Sequence, residues 1–159
     1  MFKEIRTAQP KDCPRLLELL QQICALHSEI RPDLFQNGSS KYTVKSLEKL
    51  LDDSTRLTFV AVDEQDSVMG YIFCILIDHT PDSARCSNKE LYIDDLCVDA
   101  QCRREGIGDA LFKKAVSTAK ELGCHNVTLN VWEGNDSARA FYEKMGMFVK
   151  ETQMEILVK

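Results

Sequence analysis

The chain has 159 residues, a formal net charge of −5, 44% hydrophobic residues and 28% charged ones. That length sets one domain, residues 1–159, as the expectation, and it can bury a sizeable core. The acidic balance argues against nucleic acid, whose phosphates call for a basic face, and no apolar run approaches the roughly 20 residues needed to span a bilayer.

The N-terminus, MFKEIRTAQPKDC, has no signal-peptide core, so a cytoplasmic location is expected. Seven cysteines are an odd number, no Cys-x-x-Cys occurs, and several fall at core-like positions. Free thiols are expected rather than disulfides. The three histidines lie far apart, so no metal site is expected.

In chain order, FKEIRTA alternates and predicts a first strand. Asp12 is a candidate helix cap with Pro14 in the first turn. Cys13, Leu16, Leu17, Leu20 and Cys24 then follow helical spacing to about Glu29. RPDLFQNGSSKY is a loop with a turn at Asn37-Gly38. Thr43 opens a second helix with Leu47, Leu50 and Leu51 on its inner face. LTFVAVD and VMGYIFCILI are strands joined by the polar turn EQDS.

HTPDSARCSN is a loop, and KELYIDDLCV a fourth strand. A helix runs from Gly106 to Leu122 and stops at Gly123. VTLNVW is a fifth strand. A helix from Asp136 to Met145 ends at Gly146, and FVKETQMEILV closes the chain as a strand. An antiparallel meander followed by strand–helix–strand crossovers implies a mixed α/β sheet covered by helices on both faces.

One turn stands out. After Val98 the chain passes through DAQCRREGIG into a helix. The first turn of a helix has unpaired amides that bind anions. Gly106 and Gly108 leave the main chain open to a ligand, and Arg103 and Arg104 supply charge-assisted donors suited to phosphate oxygens. A pyrophosphate fits this better than a single carboxylate. A Walker loop is absent. A Rossmann fingerprint is not met, because Leu111 stands at the third glycine and the turn follows a meander.

Downstream, NVWEGNDSARAFYEKMGM places Asn135, Ala138, Phe141, Tyr142, Glu143 and Gly146 just after a strand. Together the two stretches resemble the GNAT superfamily of acetyl-coenzyme A-dependent N-acetyltransferases, and the element order extends the likeness over nearly the whole chain. Arg104, where many relatives have glycine, together with Glu105 and Met147, departs from the pattern without removing a donor.

The resemblance implies a single-domain sheet of six to seven strands with about four helices, splayed between strands four and five. It implies acetyl-coenzyme A as co-substrate and no metal. The loop residues Arg103, Arg104, Gly106, Ile107, Gly108 and Asp109 would take the pyrophosphate. Asn135, Ala138 and Tyr142 belong to the second motif and would contact the cofactor as well, Asn135 holding the pantetheine arm or the loop. Main chain at Leu96, Cys97 and Val98 would pair with the pantetheine arm as an added strand does.

A lysine-like amine, pKa ~10.4, must lose a proton before attack, which at pH 7 costs about 4.6 kcal/mol at ~1.36 per unit. Asp94 and Asp95 in YIDDLCVDAQCRREGIG are the candidate bases, and on a regular strand only one of them enters the cleft unless a bulge intervenes. This stretch looks like that of diamine and spermidine acetyltransferases, and on that likeness Asp94 is favoured. Tyr142 matches the family's general acid. Neither Cys97 nor Cys102 has an evident histidine partner, so neither is read as an acyl carrier. His27, Glu29, Asp33 and Phe35 are expected to line the acceptor pocket.

Direct acetylation of a polyamine-like primary amine leads these expectations. A protein N-terminus or lysine is the alternative acceptor, and a non-catalytic coenzyme A sensor is an alternative of another class. The partner is therefore a small-molecule or peptide amine, with no nucleic acid and no membrane, and a homodimer is compatible with it.

Overall fold

The computed structural model describes residues 1–81, 84 and 86–158. Three positions of the expected loop after His79 (82, 83 and 85) lie outside the described residues, as does position 159.

Five strands form one sheet in chain order: β1 (Phe2–Thr7), β2 (Arg56–Asp63), β3 (Val68–His79), β4 (Asn88–Val98) and β5 (Asn126–Leu129). The first three pairings are antiparallel, and β4 with β5 is parallel. Four helices cover it: α1 (Cys13–Ile30), α2 (Val44–Leu51), α3 (Ile107–Glu121) and α4 (Asp136–Lys144). The mixed sheet follows the sequence expectation. Its strand number does not.

Alternation along the strands divides the core into two layers. Val60, Val62, Tyr71 and Phe73 pack with Leu16, Leu19, Leu20 and Leu47 from α1 and α2. Phe59, Ala61, Ile72 and Cys74 pack on the opposite face with Ile107, Leu111, Phe112 and Ala115 of α3. Each fully buried large apolar side chain contributes about 1.5–3 kcal/mol, so the i, i+3, i+4 leucines of α1 fix that helix on the sheet.

Asp12 sits at the start of α1, but its carboxylate does not cap the helix. It turns back to accept from Gln9 N at 2.8 Å and from both Arg6 terminal nitrogens at 2.7 and 3.0 Å. A nearly fully buried carboxylate gains more from a bidentate guanidinium than from one amide. Thr43 does cap α2, accepting from Ser46 N while Ser46 Oγ accepts from Thr43 N.

The β4–β5 ladder ends at Ile93–Leu129, while β4 continues to Val98 beside β3 alone. This is the expected splay, and it also shortens β5: Asn130 to Trp132, expected in the strand, have left the ladder. The expected closing strand is absent among the described residues. Residues 148–158 carry no strand pairing. Among the described residues the expected six to seven strands are thus five.

Candidate active site

The splay opens beside a β-bulge. Phe73 faces Asp95 and Cys74 faces Ile93, so Asp94 is the inserted residue. The bulge undoes strand alternation locally, and both carboxylates line a single cavity of about 440 Å³. The bulge is the exception under which both acids enter the cleft.

The two acids have different neighbours. Asp94 accepts from Lys41 Nζ at 2.7 Å. Burial lowers the Lys41 pKa, but the hydrogen bond and charge of Asp94 outweigh it and hold the ammonium above its ordinary value. Asp95 accepts from the hydroxyl of fully buried Tyr71 at 3.0 Å. Burial pushes its pKa up to about 6 against the opposing effects of Tyr71 and Lys41. A carboxyl poised near neutrality is the kind that exchanges protons in catalysis.

The opposite wall is aromatic. His27 lies 5.1 Å from the Phe35 ring, and Phe35 meets Trp132 edge-on at 5.5 Å. Burial, helped by Lys41, lowers the His27 pKa and favours the neutral imidazole. Of the four expected acceptor residues, His27 and Phe35 line the cavity and Glu29 and Asp33 do not. Glu29 is exposed on α1, and Asp33 is engaged by Arg31 at 2.7 Å. Lys41 and Trp132 line the cavity without being expected there. Lys41 lies in the loop beyond Phe35, and the sequence pattern assigns Trp132 to a strand.

Tyr142, which is not among the cavity-lining residues, rests against Phe112 and Phe141 with ring centroids 6.0 and 5.1 Å away. Burial raises its pKa, and the charge of Asp95 adds to that. The phenol therefore keeps its proton. The buried Cys97 thiol is pushed up to about 12, also by burial, which leaves it a poor nucleophile.

The loop into α3 is held from α1. Gln22 Nε2 donates to Val98 O at 3.0 Å, and Ala100 N donates to Gln22 Oε1 at 3.2 Å. Arg15 binds Asp99, whose own amide reaches Met69 O at 2.8 Å. Gly106 enters the helix at φ 77° with no side-chain cap, so the first amides of α3 are left for another partner. Among the described residues neither Arg103 nor Arg104 forms an ion pair or side-chain hydrogen bond, and both are exposed, as is Glu105. A Cβ at Gly108 would sit 3.4 Å from the Phe141 ring, an ordinary van der Waals contact, so packing alone does not call for glycine there.

Unpaired guanidinium groups, uncapped helix amides and the one-sided end of β4 fit a long anionic group with an extended amide arm. Asn135, expected near that arm, caps α4 by accepting from Ala138 N at 3.3 Å. Among the described residues no group of three or more His, Cys, Asp and Glu side chains gathers in a way that could hold a metal ion. No described helix is long and apolar enough to cross a membrane.

The profile of the acetyltransferase (GNAT) family matches residues 20–147, which include the bulge, the loop and α4. The chain belongs to this family. Among GNAT relatives, N-alpha-acetyltransferase 30 of Xenopus laevis is 33% identical over 116 residues, covering 73% of this chain and 40% of that protein. A probable glucosamine 6-phosphate N-acetyltransferase of Oryza sativa subsp. japonica is 36% identical over 72 residues, 45% of this chain and 42% of that one. Either match therefore covers less than half the length of the relative. A crystal structure of a mutant BH1408 protein from Bacillus halodurans superposes with a TM-score of 0.94 at 27% identity, covering 99% of this chain and 100% of that one. The names of the two sequence relatives speak of an alpha-amine and of an amino sugar phosphate rather than of a diamine.

Proposed function

We propose that the protein transfers the acetyl group of acetyl-coenzyme A to a primary amine by direct attack within a ternary complex. The observation that supports this reading is the pair of carboxylates lining one cavity where β4 runs on past β5, with a protonated tyrosine within electrostatic reach of Asp95 and an uncapped helix terminus with unpaired arginines on the loop after β4.

In this scheme Arg103, Arg104 and the amides of Ile107, Gly108 and Asp109 hold the pyrophosphate. Leu96, Cys97 and Val98 offer main chain to the pantetheine arm, except that Val98 O already accepts from Gln22. Bound there, acetyl-coenzyme A supplies the thioester. Asp95 accepts the ammonium proton of the acceptor, directly or through a water. Its pKa of about 6 makes it a better base at neutrality than a carboxylate of ordinary pKa, and this favours it over Asp94. Asp94 orients Lys41 at the cavity rim, and Tyr142 returns a proton to the departing thiolate. Ala138 and Asn135 serve through α4, whose first turn they shape.

For the acceptor we favour a small primary amine carried on an apolar or aromatic body, matched to His27, Phe35 and Trp132. The expected preference for diamines loses two of its supports, since Glu29 and Asp33 lie outside the cavity and Lys41 neutralises Asp94. A protein N-terminus is the second reading, favoured by the identity shared with N-alpha-acetyltransferase 30. An amine panel with acetyl-coenzyme A, read by thiol release, tests the proposal. Turnover of small apolar amines supports it, turnover of peptides alone selects the second acceptor, and coenzyme A binding without turnover points to a sensor.

A further inference from the structure

Arg31 ends α1 and does not line the cavity, yet it touches all three members of the aromatic wall. Its main-chain N donates to His27 O at 2.8 Å, and its carbonyl accepts from Phe35 N at 3.0 Å. Its guanidinium carbon lies 5.6 Å over the Trp132 ring. Tryptophan is the best side-chain partner for such a cation.

The guanidinium is itself clamped. Asp33 accepts from Arg31 Nε at 2.9 Å and from one terminal nitrogen at 2.7 Å, and Glu155 accepts from the other at 2.6 Å. A planar fork held by two carboxylates keeps one orientation, and that plane lies over the indole. Trp132 needs such a support, because it lies three residues past Leu129, where the ladder with β4 ends. Asp33, outside the cavity, thus acts on it through Arg31. Glu155 brings the segment after α4 to the same point.

The geometry points to Arg31 as a positioning residue for acceptor choice: from outside the cavity it holds Trp132 and Phe35 as a fixed wall for the ring of an aromatic-bodied primary amine, with Asp33 and Glu155 as its clamps. The substrate in this inference rests on the acceptor reading above, and the clamp does not. A ring gains from edge-on and offset contacts only where its partners are already oriented. A wall free to turn must be ordered when the amine binds, and that cost weakens binding. The effect therefore falls on KM and spares the chemical step. An amine with a short aliphatic body has less wall to lose.

Trp132 is the sole tryptophan of the chain, so its fluorescence reports the wall directly. Arg31→Met keeps an apolar stem and removes the cation. Acrylamide quenching of Trp132 should rise, and KM for phenethylamine should rise about tenfold with kcat within about twofold of wild type. KM for butylamine should change by less than about threefold. Arg31→Lys, which keeps the charge without the fork, should recover part of both effects. Glu155→Gln, at an exposed side chain, should shift both in the same direction by less, and it decides the matter if Arg31→Met does not fold. Wild-type quenching in Arg31→Met and Glu155→Gln, an equal KM rise for the two amines, or a loss confined to kcat overturns the inference. Wild type that turns over no phenethylamine defeats the acceptor reading instead. Phenethylamine affinity, read from Trp132 emission, must then still fall in the variants; equal affinity overturns the role of Arg31, and no binding to wild type overturns both.

Discussion

Lys41 Nζ donates to Asp94 Oδ2 at 2.7 Å, so one of the two cavity carboxylates is already neutralised by an amine of the chain itself. The charge that an incoming cation meets is therefore smaller than two adjacent aspartates suggest. Lys41→Met keeps the apolar stem and removes the cation. Diamines should then gain on neutral-bodied monoamines by about tenfold in kcat/KM, ~1.4 kcal/mol, the size of a partly screened charge contact. An unchanged ratio in competition assays would place cation discrimination elsewhere.

Asp95 carries a pH signature. Its folded pKa, about 6, lies above the ordinary value of 3.8. Between these values the unfolded chain gives up the proton more readily, so this group costs stability as pH rises from about 4 to 6, and the full cost persists above. Asp95→Asn should raise Tm at pH 7.5 by several degrees, reflecting up to ~2–3 kcal/mol at ~1.36 per unit. The gain should vanish below about pH 4. The same variant should lose the acidic limb near pH 6 in kcat/KM and most of its activity at neutrality. Thermal melts across pH beside rate profiles check both, and equal Tm at all pH values would mean that Asp95 is not held in the raised state.

Much of this is legible in the sequence. The leucines of α1 and α2, the Gly-punctuated ends of α3 and α4, and the glycine turn that leads into α3 are local signals, and local signals read well. What fails depends on long-range partners. FVKETQMEILV has the alternation of a strand, but alternation alone does not make the main-chain pairing that a strand needs, and the segment forms none. Asp12 has the identity of a cap but is claimed by Arg6 from β1. Glu29 and Asp33 share a segment with His27 and Phe35, yet the end of α1 and Arg31 turn them away from the cavity. The bulge at Asp94 arises from register with β3, which nothing in YIDDLCV announces by itself.

Arg103 is exposed, and among the described residues it has no ion-pair partner. Its removal should therefore cost coenzyme A affinity without costing the fold. Arg103→Ala should weaken coenzyme A binding about tenfold or more, as expected for one charge-assisted hydrogen bond of ~1.5–3 kcal/mol, while leaving pantetheine affinity unchanged. Calorimetry with both ligands separates the two. Equal losses for pantetheine would indicate a misfolded loop and not a lost phosphate contact.

Gly106 adopts φ 77°, and a methyl group added there would meet nothing within 4 Å, so only backbone strain opposes Gly106→Ala. That strain is roughly 1–2 kcal/mol. The variant should melt lower or bind coenzyme A more weakly by a corresponding amount, and wild-type values in both measurements would show that the loop relaxes freely.

The most direct measurement compares wild type and Tyr142→Phe in single-turnover acetylation of the best amine, with thiol release and acetylated product both quantified and coenzyme A affinity measured in parallel. The account predicts equal yields of thiol and acetylated amine for wild type, and a chemical step slowed by on the order of 10²-fold in the variant at unchanged affinity. Acetyl-coenzyme A bound by wild type with no acetylated amine from any acceptor would contradict it.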